Sequence, residues 1–207
     1  MARILRVGAD FFPPYQYYDE AGKGIGIDCD KVRRVLEIMG CEMELFIGQE
    51  WSEVQERYDS RELDAAFQVQ PTPERLAKFN FSDLLREAAT ELVSSDPNLS
   101  IDSYGEIEEK GLKLGVLSGY TNGPDIDAIS DTCKMEFPNS EELLKNISAG
   151  VVDLGVFDQG VKKYLMEKNG ITNIYALENM TFTRPLHVIF NDASLRDEFN
   201  AAMAKLS

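Results

Sequence analysis

Short β-rich runs alternate with stretches of helical period along almost the whole chain, and that alternation restricts the fold more than any other feature. "RILRVGAD" is strand-like and ends in an aromatic and proline loop, "FFPPY". In "KGIGIDCDKVRRVLEIMG" the apolar residues Val32, Val35, Leu36 and Met39 recur at helical spacing, with Asp28 placed to cap the helix and Gly40 to stop it. "EMELFIG" is a second strand, and "WSEVQERYDSRELD" opens with Ser52 three residues before Gln55, a capping-box spacing. "LDAAFQVQ" is strand again. Beyond Asp83 the pattern loosens through "LVSSDPNLSIDSYGEIEEKG", where Pro97, the serines and the glycines mark a boundary between two structural units. The plan then repeats: strand "LKLGVLSG", capped helix "NSEELLKNISAG", strand "VVDLGVFD", helix "QGVKKYLMEKNG" and strand "NIYALE". The end, "LHVIFNDASLRDEFNAAMAKLS", reads as a strand and an amphipathic helix through Leu195, Phe199, Met203 and Leu206. Alternating βα units predict an α/β chain of mostly parallel sheets flanked by helices, here as two small lobes. "RELDAAFQ" and "GVVDLGVF" echo one another, each carrying an aspartate between a helix and a strand. In open α/β sheets ligands bind beyond the carboxyl ends of the strands, so facing lobes would trap one between them.

Composition narrows the partners. The 207 residues are 43% hydrophobic and 28% charged, with a net charge of −15, so the chain is globular and repels phosphate backbones and anionic lipid. Nucleic acid and membrane surfaces are therefore not expected as partners. No apolar run approaches the roughly 20 residues of a membrane span. The three cysteines form no metal spacing. Cys29 and Cys41 are expected at opposite ends of one helix, too far apart for a disulfide, and all three read as small buried hydrophobes. The single histidine, His187, falls in a strand-like run and excludes a His-rich metal site. No metal or cofactor is expected.

"PTPERLAKF" carries a conflict. Thr72 is a good N-cap and Pro73 suits the first helical position, but Arg75 then places a cation at the positive end of a helix. An anion bound there would resolve it, because free N–H groups and a guanidinium fork make a carboxylate receptor. On these grounds alone an exposed arginine paired with Glu74 or Asp83 is the favoured reading.

Four stretches, in order, resemble the polar amino-acid class of bacterial extracellular solute-binding proteins, family 3. "LRVGADFFPPYQYYDEAGKGIGIDCDKVRRVLEIMG" is similar to the family's opening strand, aromatic-Pro loop, hairpin and "G-x-D-x-D" helix. "RELDAAFQVQPTPERLAKFNFSD" resembles its "DA…T-x-x-R…FS" block, "LGVLSGYTN" its "GV-x-x-G-T-T" turn, and "AGVVDLGVFD" its "AG-x-x-D-A-x-x-x-D" strand. The resemblance implies a type II periplasmic-binding fold. Its expected lobes are residues 1–93 with 184–207, and residues 94–183, with hinge crossings near 90–97 and 179–186. It implies that Arg75 grips a ligand α-carboxylate, that Asp158 accepts the α-ammonium, and that Thr121 and the Tyr120 backbone add hydrogen bonds to the carboxylate. Phe12 would cover the ligand and Asp10 would meet its side chain. Gln70, beside Thr72, stands where the family usually has a small hydroxyl residue, and Phe67, Gln68 and Tyr120 also depart from it.

The implied function is binding of an α-amino acid or similar carboxylate with hinge closure. The partner would be an ABC permease or the protein's own transmembrane signalling module, and the isolated domain is expected to be a monomer. The alternative is a periplasmic enzyme of the same fold, such as a cyclohexadienyl dehydratase, but no paired-carboxylate motif for a general acid is visible. The location implied is periplasmic or extracellular. The chain stops at "FNAAMAKLS", before the family's usual closing helix, which points to a segment of a longer protein whose leader or anchor lies elsewhere. Tyr15, Tyr17, Tyr18 and Trp51 read as packing, Asp64 and Asp153 as turn residues, and Lys162 and Lys163 as a solvated helix face.

Overall fold

The β-rich runs of the sequence become strands whose buried apolar residues pack under helices. The computed structural model describes residues 2–206. In chain order the elements begin with β1 (Arg3–Asp10), β2 (Tyr17–Tyr18), β3 (Gly24–Ile25), α1 (Ile27–Ile38), β4 (Cys41–Gly48), α2 (Trp51–Asp59) and β5 (Ala65–Val69). They continue with α3 (Pro73–Lys78), β6 (Asn80–Phe81), β7 (Arg86–Ser94), α4 (Gly105–Glu109), β8 (Leu114–Leu117), α5 (Pro124–Asp127) and β9 (Lys134–Phe137). The last are α6 (Ser140–Ser148), β10 (Leu154–Asp158), α7 (Gln159–Asn169), β11 (Tyr175–Phe190) and α8 (Ala193–Met203). The chain divides into two compact units, Met1–Glu87 with Pro185–Ser207, and Ala88–Arg184. Both crossings fall inside strands, β7 and β11, rather than in the Pro97 segment.

In the first unit β4, β1 and β5 run parallel, and β11 pairs with β5 and β6 in the antiparallel sense. Leu5, Val7 and Ala9 of β1, with Phe67, Val188 and Phe190, pack against Cys29, Val32 and Leu36 of α1 and Leu195 and Phe199 of α8. The opposite face buries Ala66, Val69 and Ile189 under Val54 and Tyr58 of α2. Each large side chain so buried contributes about 1.5–3 kcal/mol. Strict alternation would put Phe67 and Val69 on one face. Gln68 breaks the phase with a left-handed backbone, φ 66, and opposite it β11 shifts register between His187 and Val188. Phe67 therefore stays with α1 and α8 while Val69 turns to α2.

The second unit pairs β7 antiparallel to β10, with β10, β8 and β9 parallel. Leu92, Leu114, Val116, Leu154 and Val156 face Ile107 of α4, Ile126 of α5, and Leu177 and Met180. The aspartate echo of the sequence is a shared device. Asp64 N donates to Arg6 O at 2.8 Å while its carboxylate accepts from Arg6 N at 2.9 Å; Asp153 does the same with Lys113, at 3.0 and 2.7 Å. Each closes a two-bond ring that fixes one parallel strand beside the other.

Several expectations are corrected. Asp28 does not cap α1: Gly26 holds the cap position, and Asp28 lies buried in the first turn. Ser52 is not a cap either, since Glu50 precedes α2 and Ser52 Oγ donates to its carboxylate at 3.3 Å. "NIYALE" and "LHVIFN" are parts of one sixteen-residue strand, β11, with Asn179 at φ 63 inside it. Cys29 and Cys41 are free and buried, but Cys133 is only half-buried. Lys162 is not a solvated cation, because its ammonium is paired with the buried Glu91 carboxylate.

Helix α6 lies directly on β8 and β10 because two glycines leave room for it. A Cβ on Gly155 would sit 2.1 Å from Ile147 Cδ1 and 3.2 Å from its Cγ1; one on Gly115 would sit 2.3 Å from Leu143 Cδ1. Gly155→Ala is expected to destabilise the protein by about 1–3 kcal/mol through overpacking, measured as a lower urea midpoint at unchanged slope.

Candidate functional site

The first unit presents its polar set around the carboxyl end of β1 and the segment after β5. Asp10 closes β1, is buried, and accepts from Gln16 Nε2 at 3.2 Å. Burial pushes its pKa up to about 6, against the pull of backbone and Gln16 hydrogen bonds. Phe12 is buried in the following loop, its ring 6.2 Å from that of Tyr15 and nearly parallel to it. Downstream, Thr72 Oγ1 accepts from Arg75 N at 3.2 Å and caps α3, with Pro73 at the first position. The half-buried Arg75 turns back: Nη1 donates to Gln70 O at 3.3 Å and the guanidinium lies 5.9 Å from the Trp51 ring centre. Gln16 Oε1 and Gln70 Oε1 are buried without a protein partner. Orphaned buried oxygens are uncommon in folded proteins and suit a ligand donor.

The second unit carries Asp158 at the carboxyl end of β10, 3% exposed. Its Oδ1 accepts from Gly160 N at 2.8 Å and Val161 N at 3.3 Å, so the residue also caps α7. In the turn after β8 the Tyr120 N–H donates to Leu117 O at 3.2 Å. Thr121 Oγ1 is buried and lacks a protein partner. No cluster of three or more potential metal ligands occurs among the described residues.

A model of the bacterial extracellular solute-binding proteins, family 3, matches residues 5–207. The chain belongs to that family. A probable amino-acid ABC transporter-binding protein of Haemophilus influenzae is 28% identical over 128 residues. That match covers 61% of this chain and 49% of the relative, about half its length. An ancestral arginine-binding protein bound to arginine superimposes with a TM-score of 0.84 at 25% identity, over 98% of this chain and 92% of that one. A histidine kinase sensor domain similar to periplasmic binding proteins gives 0.87 at 20% identity, over 99% and 90%. These solute-binding relatives share the mixed α/β, type II architecture. No described helix is long and apolar enough to cross a membrane.

Two groups escaped the sequence reading. Arg86 Nε donates to Asp28 Oδ2 at 2.9 Å and its guanidinium lies 3.6 Å from the Tyr15 ring centre, while Gln68 Nε2 bonds the same Asp28 oxygen. Arg184, at the end of the second unit, is 7% exposed and holds Thr90 and the Thr121 carbonyl. Asp28 was visible in the sequence only as a helix cap and Arg184 not at all, because no local spacing identifies a partner so distant in sequence.

Because folded Asp10 holds its proton more tightly than the unfolded chain, its ionisation destabilises the protein at neutral pH. Its contribution improves as pH falls through about 6 and levels off below about 4. Asp10→Asn should therefore raise stability at pH 7.5 by on the order of 2 kcal/mol and change it little at pH 3.5. Thermal melts of both proteins across that range check this; an equal shift at both values would contradict it.

Proposed function

We propose that this chain binds an α-amino acid outside the cytoplasm and performs no chemistry on it. One observation carries the reading: each unit holds one fixed charge of opposite sign at a strand-to-helix junction, Arg75 beside the cap of α3 and Asp158 at the start of α7. A zwitterion needs one of each. Arg75 would receive the carboxylate and Asp158 the ammonium. Asp10 and Gln70 would meet the ligand side chain from the first unit, with Phe12 covering it and Thr121 adding a hydroxyl from the second. The named relatives support the amino-acid class. The sole histidine supports binding rather than catalysis: His187 Nδ1 lies 2.8 Å from Ser82 O, in a structural contact. Transport receptors and sensor domains share this ligand chemistry, so the partner is an ABC permease or a transmembrane signalling module.

A thermal-shift screen of the twenty amino acids tests the class, since a ligand at 100 times its Kd adds about 2.7 kcal/mol of stability. Arg75→Ala is expected to weaken the best ligand by about 2–5 kcal/mol, the usual loss when a charge partner is left unpaired. Calorimetry showing less than about a threefold change would remove Arg75 from the site. Asp158→Asn keeps a good helix cap and so isolates the charge. It should weaken the amino acid while leaving the deaminated analogue unchanged, and a parallel loss for both would reject the ammonium role.

A further inference from the structure

We propose that Glu91 is a positioning residue of the second unit: by tethering the first turn of α7 to β7 it aims the Asp158 carboxylate, and so sets the preference for a ligand that bears an ammonium group. The inference rests on the amino-acid reading above and deepens it. Asp158 ends β10 opposite Thr90 of β7, and Glu91 stands opposite Phe157. Asp158 Oδ1 accepts from the N–H groups of Gly160 and Val161, so the direction of its carboxylate follows the placement of that turn. Glu91 grips the same turn. One of its oxygens accepts from Gln159 Nε2 at 2.9 Å, immediately after Asp158, and the other pairs with the Lys162 ammonium, one residue beyond Val161. A ring is thereby closed from Asp158 through the β10–β7 ladder to Glu91 and back through Gln159.

Core stability does not explain a carboxylate at this place. Glu91 is 4% exposed, in a strand whose next residues, Leu92 and Val93, are wholly buried. An apolar side chain there would stabilise the unit as well or better, since a buried ion pair gains little over good hydrophobic packing. Packing does hold one side of the turn, through the buried Val161. On the other side Gln159, Lys162, Lys163 and Met166 line a cavity of about 690 Å³ together with Glu91. A turn that borders open volume is not fixed there by close contact. The bonds to Glu91 restrain it instead, and their charge makes them stronger than bonds between neutral groups.

The test reads the turn and the ligand separately, in wild type, Glu91→Gln and Gln159→Ala. Amide exchange in the protein without ligand, followed by NMR, should accelerate about tenfold or more at Gly160 and Val161 in both variants, and by less than about twofold along α6. The ligand probes are the standard L-amino acid giving the largest thermal shift among the twenty, and the same molecule lacking its ammonium. Both variants should weaken the amino acid by about tenfold or more, the scale of a hydrogen bond to a charged group, and the deaminated probe by less than about threefold. Unchanged exchange at Gly160 and Val161, or equal losses for the two probes, would overturn the proposal, since a merely structural glutamate affects the whole unit and every ligand alike. Gln159 is exposed, so Gln159→Ala keeps the proposal falsifiable if Glu91→Gln does not fold. An amino acid whose binding depends on Asp158 but not on Glu91 or Gln159 overturns this inference alone. If no amino acid shifts the wild-type melt, the underlying reading falls and this one with it.

Discussion

The first unit is organised around one buried carboxylate. Asp28 is 1% exposed and collects Arg86 from β7 and Gln68 from β5. Its position in the first turn of α1 adds a favourable helix end. Burial still raises its pKa, with the Arg86 charge and both hydrogen bonds opposing that rise. Removing one member of such a pair typically costs about 3–5 kcal/mol, because the other is left buried and uncompensated. Three features of the first unit meet there. The left-handed Gln68 is held by its side chain, Tyr15 is covered by Arg86, and the root of β7 is fixed just before the chain leaves the unit. A left-handed backbone at a residue with a Cβ costs about 1–2 kcal/mol. The Gln68–Asp28 bond offsets that strain, and the resulting bulge sets the direction of the chain into Gln70 and Thr72.

Arg75 and Asp158, the two charges proposed to hold the ligand, are supported differently. Arg75 sits in the first turn of a six-residue helix, where the dipole works against it. Its guanidinium escapes by folding back to the Gln70 carbonyl and the Trp51 ring. Asp158 sits where a helix favours it, and one oxygen already caps α7. The first charge therefore stands at some electrostatic cost, whereas the second also stabilises its own helix. That asymmetry is why aspartate to asparagine, rather than to alanine, separates the two duties of Asp158.

Local signals in the sequence specified local structure well. Thr72 and Pro73 start α3, Asn139 starts α6, and Gly150 and Gly170 follow α6 and α7 with the positive φ their positions need. The alternating pattern, and the family it resembled, anticipated the α/β, type II architecture that the relatives share. Distant pairings were invisible. Asp28 looked like a cap because an aspartate before a helical period normally is one, and its arginine lies 58 residues away. Arg184 joins Thr90 across 94 residues, a separation that no periodicity records. Lys162 looked solvated because its partner, Glu91, belongs to another element. The β5 bulge was hidden for the opposite reason: "AAFQV" alternates acceptably, and only the left-handed Gln68 reveals that Val69 has changed faces.

The central claim is that recognition takes one charge from each unit, a cation from the first and a carboxylate from the second. Its most direct check is calorimetry of the unmodified protein with a complete α-amino acid, the amine lacking its carboxylate, and the acid lacking its ammonium. The account predicts that each truncated molecule loses at least about tenfold in affinity, and that neither loss is recovered at higher salt, where exposed charges are screened but buried ones are not. Retention of full affinity by either truncated molecule would contradict it.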